Sequence, residues 1–414
     1  MSKIRLHGTS SGYVEIAPAA AASNNTLTAP STVGEIIAKD AAGAIGITSM
    51  KASNVNVGAA VTITESGIEA SGIGITCANI NGTQIGGRRN LIINGAMQVA
   101  QRGTSQTSIT TSGFHTVDRF AISLSALGTW TQTQDTTVPT AKGFTKSLKM
   151  DVTTADSSPA VGDFCAIQYK IEAQDLQLLK YGTSSAETVT LKFHVRSPKT
   201  GTHIVHIYQN DGTRHISKAY TISSADTYQE VTINIEGDTG GTINNDNGIG
   251  LQVEFFLGAG TNFTSGTLAT SWAGYTQANS AVGQVNCADN TANNFFITGV
   301  QLEVGSQATP FEHRSYGDEL ALCMRYYEGV YMSDGTALMK SYLAYGGSAN
   351  FEYQFKVQKR AIPTWSLEGN AAWSGATPNA FESQGAAVFQ DNGGTLFTLG
   401  DASGDLCGSF DAEL

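Results

Sequence analysis

Apolar and polar side chains alternate along many short segments between residues 89 and about 316. In the clearest segment, apolar residues occupy every second position: Val189, Leu191, Phe193 and Val195. The alternate positions hold polar residues, among them Lys192, His194 and Arg196. The same alternation recurs in four further segments: 165–171, 231–235, 251–257 and 300–304. A period of two predicts strands with one buried face, and many such strands predict an antiparallel two-sheet sandwich of the jelly-roll kind.

Turn and helix signals separate these strands. Runs rich in Gly, Asn and Asp, such as 209–212 and 244–248, predict turns. Within the predicted sandwich, residues 174–182 show a helical pattern. This pattern predicts two helical turns that end at Gly182.

A second short helix is predicted over residues 318–327, directly after the sandwich. Asp318 is expected to cap its first turn, and Gly329 lies just past its end. Four residues would share its apolar face: Leu320, Cys323, Met324 and Tyr327. Alternation returns in 351–358, so the last part of the chain is expected to form a small β domain. Such a domain would be marginal alone, which favours association with its copies.

The first 88 residues are rich in Ala, Gly, Ser, Thr and Asn, and Tyr13 is their one aromatic residue. A weak repeat is present, because 44–49 (AIGITS) returns 28 residues later as 72–77 (GIGITC). A segment of this kind cannot bury a core by itself. It is expected to form a thin β-rich shaft or arm against copies of itself, and a disordered linker is the alternative.

The predicted fold class is therefore all-β, with three domains. An N-terminal β-rich shaft or arm covers 1–88, and a central antiparallel jelly-roll sandwich covers 89–316. A short helix with a small C-terminal β domain covers 317–414.

The composition is poor in charge. Charged residues make up 14% of the chain, against about 25% in an average soluble protein. A surface of hydroxyl and amide groups is common in extracellular, sugar-facing and fibrous β proteins. The net charge of −11, without a run of five basic residues, argues against nucleic-acid binding and against attraction to anionic lipid.

Cysteine usage and the N-terminus indicate where the protein is made. The five cysteines are far apart: Cys77, Cys165, Cys287, Cys323 and Cys407. Their number and spacing predict free thiols in a reducing cytoplasm, not a disulfide framework or a zinc site. Neither a secretion signal nor a membrane span is expected, because the apolar runs are only of strand length. This combination is typical of a phage product, which leaves the cell by lysis.

Several ordered motifs run through the central part of the chain: 88–99 (RRNLIINGAMQV), 118–120 (DRF), 175–186 (DLQLLKYGTSSA), 189–197 (VTLKFHVRS), 297–306 (ITGVQLEVGS), 308–312 (ATPFE) and 319–327 (ELALCMRYY). Together they resemble tail-fibre and related virion structural proteins of marine podovirus-type bacteriophages. The resemblance covers roughly residues 88–330, and the first 20 residues also look like the start of such proteins.

The resemblance implies a virion protein whose middle region is a carbohydrate-binding-module-like jelly roll. It implies a homotrimer that joins the phage tail, or other virion proteins, through its N-terminal segment. The protein would be made in the host cytoplasm and located in the virion. Its ligand would be a host surface polysaccharide, bound by the jelly roll, by the C-terminal domain or by both, without membrane insertion.

The chain departs from the family pattern at two kinds of position. Residues 94–98 (NGAMQ) lack the carboxylates that help related sugar-binding jelly rolls to hold a structural calcium, which argues against a calcium there. Positions where relatives often carry Trp hold His194, Tyr228 and Phe256. A tryptophan platform for sugar is therefore not expected at those three positions.

Aromatic residues in polar loops are the candidates for sugar binding. Trp272 and Tyr275 lie with Gln277 in a loop rich in Gly, Ser and Thr, which suits an exposed aromatic face beside an amide. Trp365 and Trp373 flank a Glu-Gly-Asn stretch in the terminal domain. The alternative for each tryptophan is burial in the core or in a trimer interface.

No catalytic residue, resident metal or cofactor is predicted. Glycoside hydrolysis uses two carboxylates about 5–10 Å apart, whereas the candidate acids lie in turns or on polar strand faces: Asp226, Glu230, Glu236 and Asp238. Two metal alternatives stay open. The first would pair His194 and His206 as cross-strand neighbours on a polar face, where a solvated strand face is the alternative. The second is the loop at 244–248, which is rich in oxygen ligands but lacks the EF-hand spacing.

The expected function is adhesion: a phage tail fibre that binds a host surface glycan and is not an enzyme. Two alternatives remain. The first is a purely structural virion component, such as a head-decoration fibre or a tail connector without a host ligand. The second is a polysaccharide depolymerase.

Overall fold

The computed structural model describes these parts of the chain: 4–7, 13–16, 79–80, 83–84, 88–331, 349–367, 376–378, 386–391 and 406–414. Contacts divide the chain into two units, Met1–Ile75 and Thr76–Leu414. In the first unit, strand β1 (Ile4–His7) pairs antiparallel with β2 (Tyr13–Ile16). The shaft predicted for residues 1–88 falls mostly outside the described residues, and the domain boundaries at 88 and 316 stay predictions.

The second unit is built mainly from strands. Those before residue 200 are β3 (Asn79–Ile80), β4 (Thr83–Gln84), β5 (Ser105–Ile109), β6 (Gly113–Phe114), β7 (Phe120–Ser125), β8 (Thr129–Asp135), β9 (Ser147–Thr154), β10 (Phe164–Glu172) and β11 (Val189–Arg196). The later strands are β12 (Gly201–Gln209), β13 (Arg214–Ile222), β14 (Gln229–Ile235), β15 (Ile249–Ala259), β16 (Ala273–Gly274), β17 (Asn294–Val304), β18 (Tyr327–Tyr331), β19 (Ala349–Gln354), β20 (Thr364–Leu367), β21 (Ala376–Pro378), β22 (Ala386–Asp391) and β23 (Leu406–Asp411). The α-helices are α1 (Thr261–Thr264) and α2 (Tyr316–Met324), and short 3-10 helices cover Ala173–Leu179, Gln277–Asn279 and Cys287–Asp289.

Two antiparallel sheets form the central sandwich. One has seven strands in the order β16-β13-β12-β15-β10-β7-β6, and the other has six in the order β14-β11-β17-β9-β8-β5. Consecutive strands repeatedly change sheet, as from β10 to β11 and from β11 to β12. Residues of both sheets belong to one hydrophobic core. The predicted antiparallel sandwich is confirmed.

Alternating apolar residues supply this core, as their period predicted. On β11 all four are buried: Val189, Leu191, Phe193 and Val195. The Phe193 ring makes edge contacts with Tyr220 and Phe255, at centroid distances of 5.2 and 5.0 Å. Phe193 thus joins β11 of the six-stranded sheet to β13 and β15 of the other. Burying such a side chain stabilises the fold by about 1.5–3 kcal/mol.

The helical pattern predicted at 174–182 is a 3-10 helix, Ala173–Leu179. Leu176 and Leu179 are buried in the core, so the helix closes one end of the sandwich. It ends at Lys180, which adopts a left-handed φ of 54°. The helix therefore ends two residues before Gly182, the residue at which the sequence predicted its end.

Helix α2 differs from the prediction at both ends. Ser315 is its N-cap, because the Ser315 hydroxyl accepts a hydrogen bond from the Asp318 N–H at 3.2 Å and donates one to the Asp318 carboxylate at 2.6 Å. The expectation that Asp318 caps the helix is wrong: Asp318 lies inside the first turn. Tyr327, placed on the helix face by the sequence pattern, begins strand β18.

Ser315→Ala is expected to lower the free energy of unfolding by about 1 kcal/mol, because the Asp318 N–H would lose its capping acceptor. Chemical denaturation followed by circular dichroism measures the change. Ser306→Ala, in the exposed loop before the helix, is the matched control and should change stability by less than about 0.5 kcal/mol. Equal effects of the two replacements would contradict the assignment of Ser315 as the cap.

The chain returns to strands after α2, as the sequence predicted. Strands β18, β23 and β20 form one three-stranded sheet, and β19, β22 and β21 form another. Cys323 and Tyr326 belong to the hydrophobic core of the sandwich. The residues around α2 are therefore packed on the sandwich and share its core.

Ion pairs reinforce this junction. The Arg325 guanidinium donates two hydrogen bonds to the buried Glu172 carboxylate, each at 2.8 Å. Arg119 is paired with Glu413 and lies over the Tyr326 ring, with its Cζ 3.4 Å from the ring centroid. Arg119 and Glu413 are almost fully buried, so removal of either would leave a charge away from water.

Two further observations concern the described residues alone. None of their helices combines the length and the hydrophobicity that a membrane span requires. Cys165, Cys287 and Cys323 are buried free thiols, and burial raises the pKa of the Cys287 thiol to about 12. Cys77 lies outside the described residues, and only the backbone of Cys407 is described.

Candidate functional site

Polar side chains form a row across neighbouring strands on the outward face of the seven-stranded sheet. The register places His206 of β12 opposite Glu254 of β15, and Glu254 opposite Gln168 of β10. Two residues further along, Tyr208 of β12 lies opposite Gln252 of β15. The residues between them on β12 and β15 belong to the hydrophobic core, so this row faces outward.

An open cavity of about 300 Å³ lies over this row, and we call it the polar groove. Its lining residues are His206, Tyr208, Gln252, Glu254 and Tyr275. Tyr275, from the loop after β16, is 40% exposed, and its backbone N–H donates to the Thr213 carbonyl at 3.0 Å. The Tyr208 and Tyr275 rings meet edge to face with centroids 5.1 Å apart. Two tyrosine rings therefore form one side of the groove.

A chain of hydrogen bonds orients the two histidines beneath the groove. The backbone N–H of Thr276 can only donate, so the His215 Nε2 at 3.3 Å accepts. The other nitrogen, His215 Nδ1, then carries the proton and donates to His206 Nε2 at 3.2 Å. His206 Nδ1 in turn donates to Glu254 Oε2 at 2.8 Å. Burial, helped by the neighbouring His206, lowers the pKa of His215 to about 4, in agreement with a neutral ring.

Glu254 is the ionised end of this chain. Burial alone would raise the pKa of its carboxyl group. Hydrogen bonds from His206 and Gln168, with the nearby charge of Lys170, outweigh burial and leave the pKa below its ordinary value. The Gln168 amide donates to Glu254 Oε1 at 2.7 Å. The carboxylate is therefore a fixed hydrogen-bond acceptor at the floor of the groove.

The same Gln168 amide orients Gln252. It donates to the Gln252 Oε1 at 3.0 Å. The Gln252 NH2 group therefore points away from Gln168. The Gln252 Nε2 has a longer contact of 3.4 Å with Asn210 Oδ1. The groove thus combines an oriented amide donor, a fixed carboxylate acceptor and tyrosine faces, which is a set able to hold a small polar ligand with an apolar face.

On both sides of the groove, other parts of the chain pack over the outward face of the seven-stranded sheet. On one side, Phe263 of α1 packs against Phe164 and Phe256, with centroids 4.8 and 6.1 Å apart. On the other side, Lys170 donates through Nζ to the Leu414 carbonyl at 2.7 Å. Phe256, one of the positions where relatives often carry Trp, is buried under this cover. It therefore offers no exposed platform.

Comparison with known proteins gives matches of low sequence identity among solved structures. No protein-family model matches the chain, and no curated protein matches it. The enzymatically active domain of bacteriophage CBA120 tailspike protein 4 is 14% identical with a TM-score of 0.28. That match covers 52% of this chain and 21% of the tailspike chain, so this chain spans about a fifth of that protein's length.

Two carbohydrate-binding modules give similar values. A family 4 module is 10% identical with a TM-score of 0.27, and the match covers 51% of this chain and 97% of the module. The family 11 module from Clostridium thermocellum, solved with a mixed-linked β-1,3-1,4 tetrasaccharide, is 9% identical with a TM-score of 0.26. That match covers 50% of this chain and 98% of the module. Values this low do not assign the chain to a family.

The structure separates the three candidate residues of the loop at 272–277. Tyr275 lines the polar groove. Trp272 is half-buried against the core, where its indole N–H donates to the Glu236 carbonyl at 2.6 Å and its ring meets Tyr181 edge to face. Gln277 begins an exposed 3-10 turn and is not among the groove residues. The sugar-binding role predicted for these three stays a prediction.

The structure describes one of the two candidate tryptophans of the C-terminal domain. Trp365 lies on β20, half-buried, with its ring 4.5 Å from that of Phe410 and packed over Gly408. Trp373 lies outside the described residues. Trp130, the remaining tryptophan, is fully buried in the sandwich core.

The structure excludes the alternative that pairs His194 with His206 as cross-strand neighbours. β11 and β12 lie in different sheets, so His194 and His206 face opposite sides of the sandwich. The turn between these strands carries the chain from one sheet to the other, which the spacing of the two histidines does not reveal. Among the described residues, no group of three or more His, Cys, Asp or Glu side chains is arranged to hold a metal.

The loop at 244–248 is a turn. The Asp246 carboxylate accepts from the Gly248 N–H at 2.9 Å, and the Asn244 amide donates to Asp211 at 2.9 Å. Asp238, one of the candidate acids of the sequence analysis, is paired with Arg214 at 2.8 Å. These oxygens therefore satisfy local hydrogen bonds.

Proposed function

We propose that this protein is a fibre protein of a tailed-bacteriophage virion that binds a host surface glycan in the polar groove. The observation that carries the proposal is the juxtaposition of the Tyr208 and Tyr275 rings with the oriented side chains of Gln252 and Glu254. This arrangement supplies both elements that sugar recognition needs.

A sugar ring has apolar C–H faces and a rim of hydroxyl groups that donate and accept hydrogen bonds. The tyrosine rings would contact the C–H face. The Gln252 NH2 group would donate to a hydroxyl, and the Glu254 carboxylate would accept from another. Because hydrogen bonds inside the protein already orient both side chains, binding would cost little side-chain entropy.

The groove favours binding over hydrolysis. Glycosidases use a pair of carboxyl groups about 5–10 Å apart, whereas Glu254 is the one carboxylate among the described groove residues. Its two oxygens are held by His206 and Gln168 at 2.8 and 2.7 Å. Its lowered pKa also makes it a poor proton donor at neutral pH. We therefore propose a non-enzymatic adhesin, and not a depolymerase.

The virion part of the proposal rests on the family resemblance over residues 88–330 and on the charge-poor composition. The N-terminal segment would attach three copies to the phage tail. Weak single sites would then give strong attachment through repetition across copies. Light scattering of the full chain should give a trimer, and a stable monomer would contradict this assembly.

Tyr275→Ala is expected to weaken glycan binding about tenfold, because the groove would lose its most exposed ring. The measurement is binding of the full chain to a glycan array and then titration with the best oligosaccharide. Tyr316→Ala is the matched control, since Tyr316 is 55% exposed and lies on helix α2, away from the groove.

Three outcomes distinguish the proposals. Loss of binding in the Tyr275 variant alone supports the groove. Binding that is equal in both variants and the wild type contradicts it. No glycan binding by the wild-type chain, together with no adsorption to host cells, would favour the alternative of a purely structural virion component.

A further inference from the structure

A second recess lies on the outward face of the six-stranded sheet, on the opposite side of the sandwich from the polar groove. Two adjoining cavities of about 530 and 590 Å³ share Lys142, His194 and Glu230 in their lining. Lys192 lines the first cavity and Arg196 the second. We call these five residues and the space between them the cationic recess.

The centre of the recess is a carboxylate surrounded by nitrogen atoms. Glu230 lies 3.2 Å from Lys192 Nζ, 3.2 Å from His194 Nε2 and 3.7 Å from Lys142 Nζ. Arg196 is paired separately with Asp226 at 2.9 Å. One carboxylate thus faces two ammonium groups and an imidazole. The recess keeps surplus positive charge in a chain whose net charge is −11.

His194 is built into the floor of this recess. Its side chain is only 5% exposed, and neither ring nitrogen makes a hydrogen bond among the described residues, although Nε2 lies within ion-pair distance of Glu230. Gly299 allows this position, because a Cβ there would lie 3.0 Å from His194 Nδ1 and 2.5 Å from the Phe144 ring. The imidazole is therefore held with Nε2 towards Glu230, whose side chain is 38% exposed.

The rim beside the ammonium groups is apolar and aromatic. Pro310, Phe311 and His313 line the first cavity, and the Phe311 and His313 rings lie 4.9 Å apart. Phe144 supports both rings from below, at 5.0 and 5.4 Å. An aromatic rim next to a surplus of positive charge suits a ligand that has both a C–H face and an anionic group.

We propose that the cationic recess is a second glycan-binding site, specific for carboxylated sugars such as uronic acids. The sugar carboxylate would take the place of the Glu230 carboxylate between Lys142 and Lys192. The C–H face of the ring would rest on Phe311 and His313. This site is independent of the polar groove, which has no comparable cluster of basic side chains.

The experiment is calorimetric titration of the full chain with tetragalacturonate, tetramannuronate and the carboxyl-reduced form of each. The wild type should bind at least one acidic probe and neither reduced form. Lys192→Gln should weaken this binding about tenfold, because a charge-assisted hydrogen bond is lost. Glu230→Gln should strengthen it roughly tenfold, because the competing carboxylate is gone.

Lys218→Gln is the matched control. Lys218 has a side chain 20% exposed, against 16% for Lys192, and is paired with Glu236 at 2.9 Å. It lies on the seven-stranded sheet, so its replacement should leave binding of the acidic probes unchanged. Lys142→Gln, at a side chain 53% exposed, gives a second test if Lys192→Gln does not fold.

Three results would overturn the proposal. The first is that neither the wild type nor Glu230→Gln binds an acidic probe. The second is equal binding of the acidic and reduced probes. The third is weaker binding after Glu230→Gln. Tyr275→Ala should leave these titrations unchanged, which separates this site from the polar groove.

Discussion

Lys359→Met is expected to lower the free energy of unfolding by about 3–5 kcal/mol. Lys359 and Glu328 are both fully buried, and Lys359 Nζ lies 2.5 Å from Glu328 Oε2 and 2.5 Å from the Met324 carbonyl. After the replacement, the Glu328 carboxylate would keep the Tyr353 hydroxyl at 2.9 Å and the distant Lys356 at 3.9 Å. A buried carboxylate without its ammonium partner is strongly unfavourable.

A double replacement separates the charge effect from lost packing. Lys359→Met combined with Glu328→Met removes both charges, so it should cost less than Lys359→Met alone. Lys356→Met, at a side chain 58% exposed, should change stability by less than about 0.5 kcal/mol. Guanidinium denaturation of the wild type, Lys359→Met, Glu328→Met, the double variant and the Lys356→Met control measures these changes. A double variant as unstable as the sum of its two single changes would contradict the buried-pair interpretation.

Acidification from pH 7 to below pH 4 is expected to destabilise the protein through two buried histidines. Burial disfavours the charged ring and lowers the pKa of His203 to about 4. Burial and the neighbouring His206 lower the pKa of His215 to about 4. The ordinary value is about 6.5, so between these pH values the unfolded chain binds more protons than the folded one. His203 should remove on the order of 3 kcal/mol and His215 a smaller amount, and neither should have an effect above pH 7.

His203→Gln tests this pH dependence. Glutamine keeps a donor for the Lys199 carbonyl, which lies 3.1 Å from His203 Nε2, but it does not titrate. Urea denaturation at pH values between about 7 and 4 should show a smaller loss of stability in the variant than in the wild type. Equal losses in the two proteins would mean that His203 is not held neutral by the fold.

The strands and their buried faces could be predicted because the signal is local. Val189, Leu191 and Phe193 show the period of two within a few residues, and burial follows directly from it. The N-cap of helix α2 was harder to predict, since Asp318 and Ser315 are both good N-cap residues. The position of the first helical turn decides between them, and the sequence leaves that position uncertain by a few residues.

The polar groove could not be predicted in the same way. Gln252 and Glu254 do alternate with the core residues of β15, which shows that they face outward. Nothing local shows that β12 and β10 flank β15, because the intervening strand β11 lies in the other sheet. The meeting of Gln168, His206 and Glu254 depends on these crossovers.

The loop aromatics illustrate a second limit. Residue type suggested Trp272 and Tyr275 equally, but the sequence does not show in which direction a loop side chain points. The Trp272 indole finds a carbonyl partner at Glu236, whereas Tyr275 packs against Tyr208 at the groove. The half-buried Trp272 indole takes such a partner, so the packing of the whole loop decides the outcome.

We propose that the polar groove holds the glycan. The most direct test is a crystal structure of the full chain with the oligosaccharide that binds best on the array. We predict a sugar ring against Tyr275, with hydroxyl groups in hydrogen-bond contact with Gln252 and Glu254. An empty groove, with the ring bound only at Trp272 or in the C-terminal strands, would contradict the account.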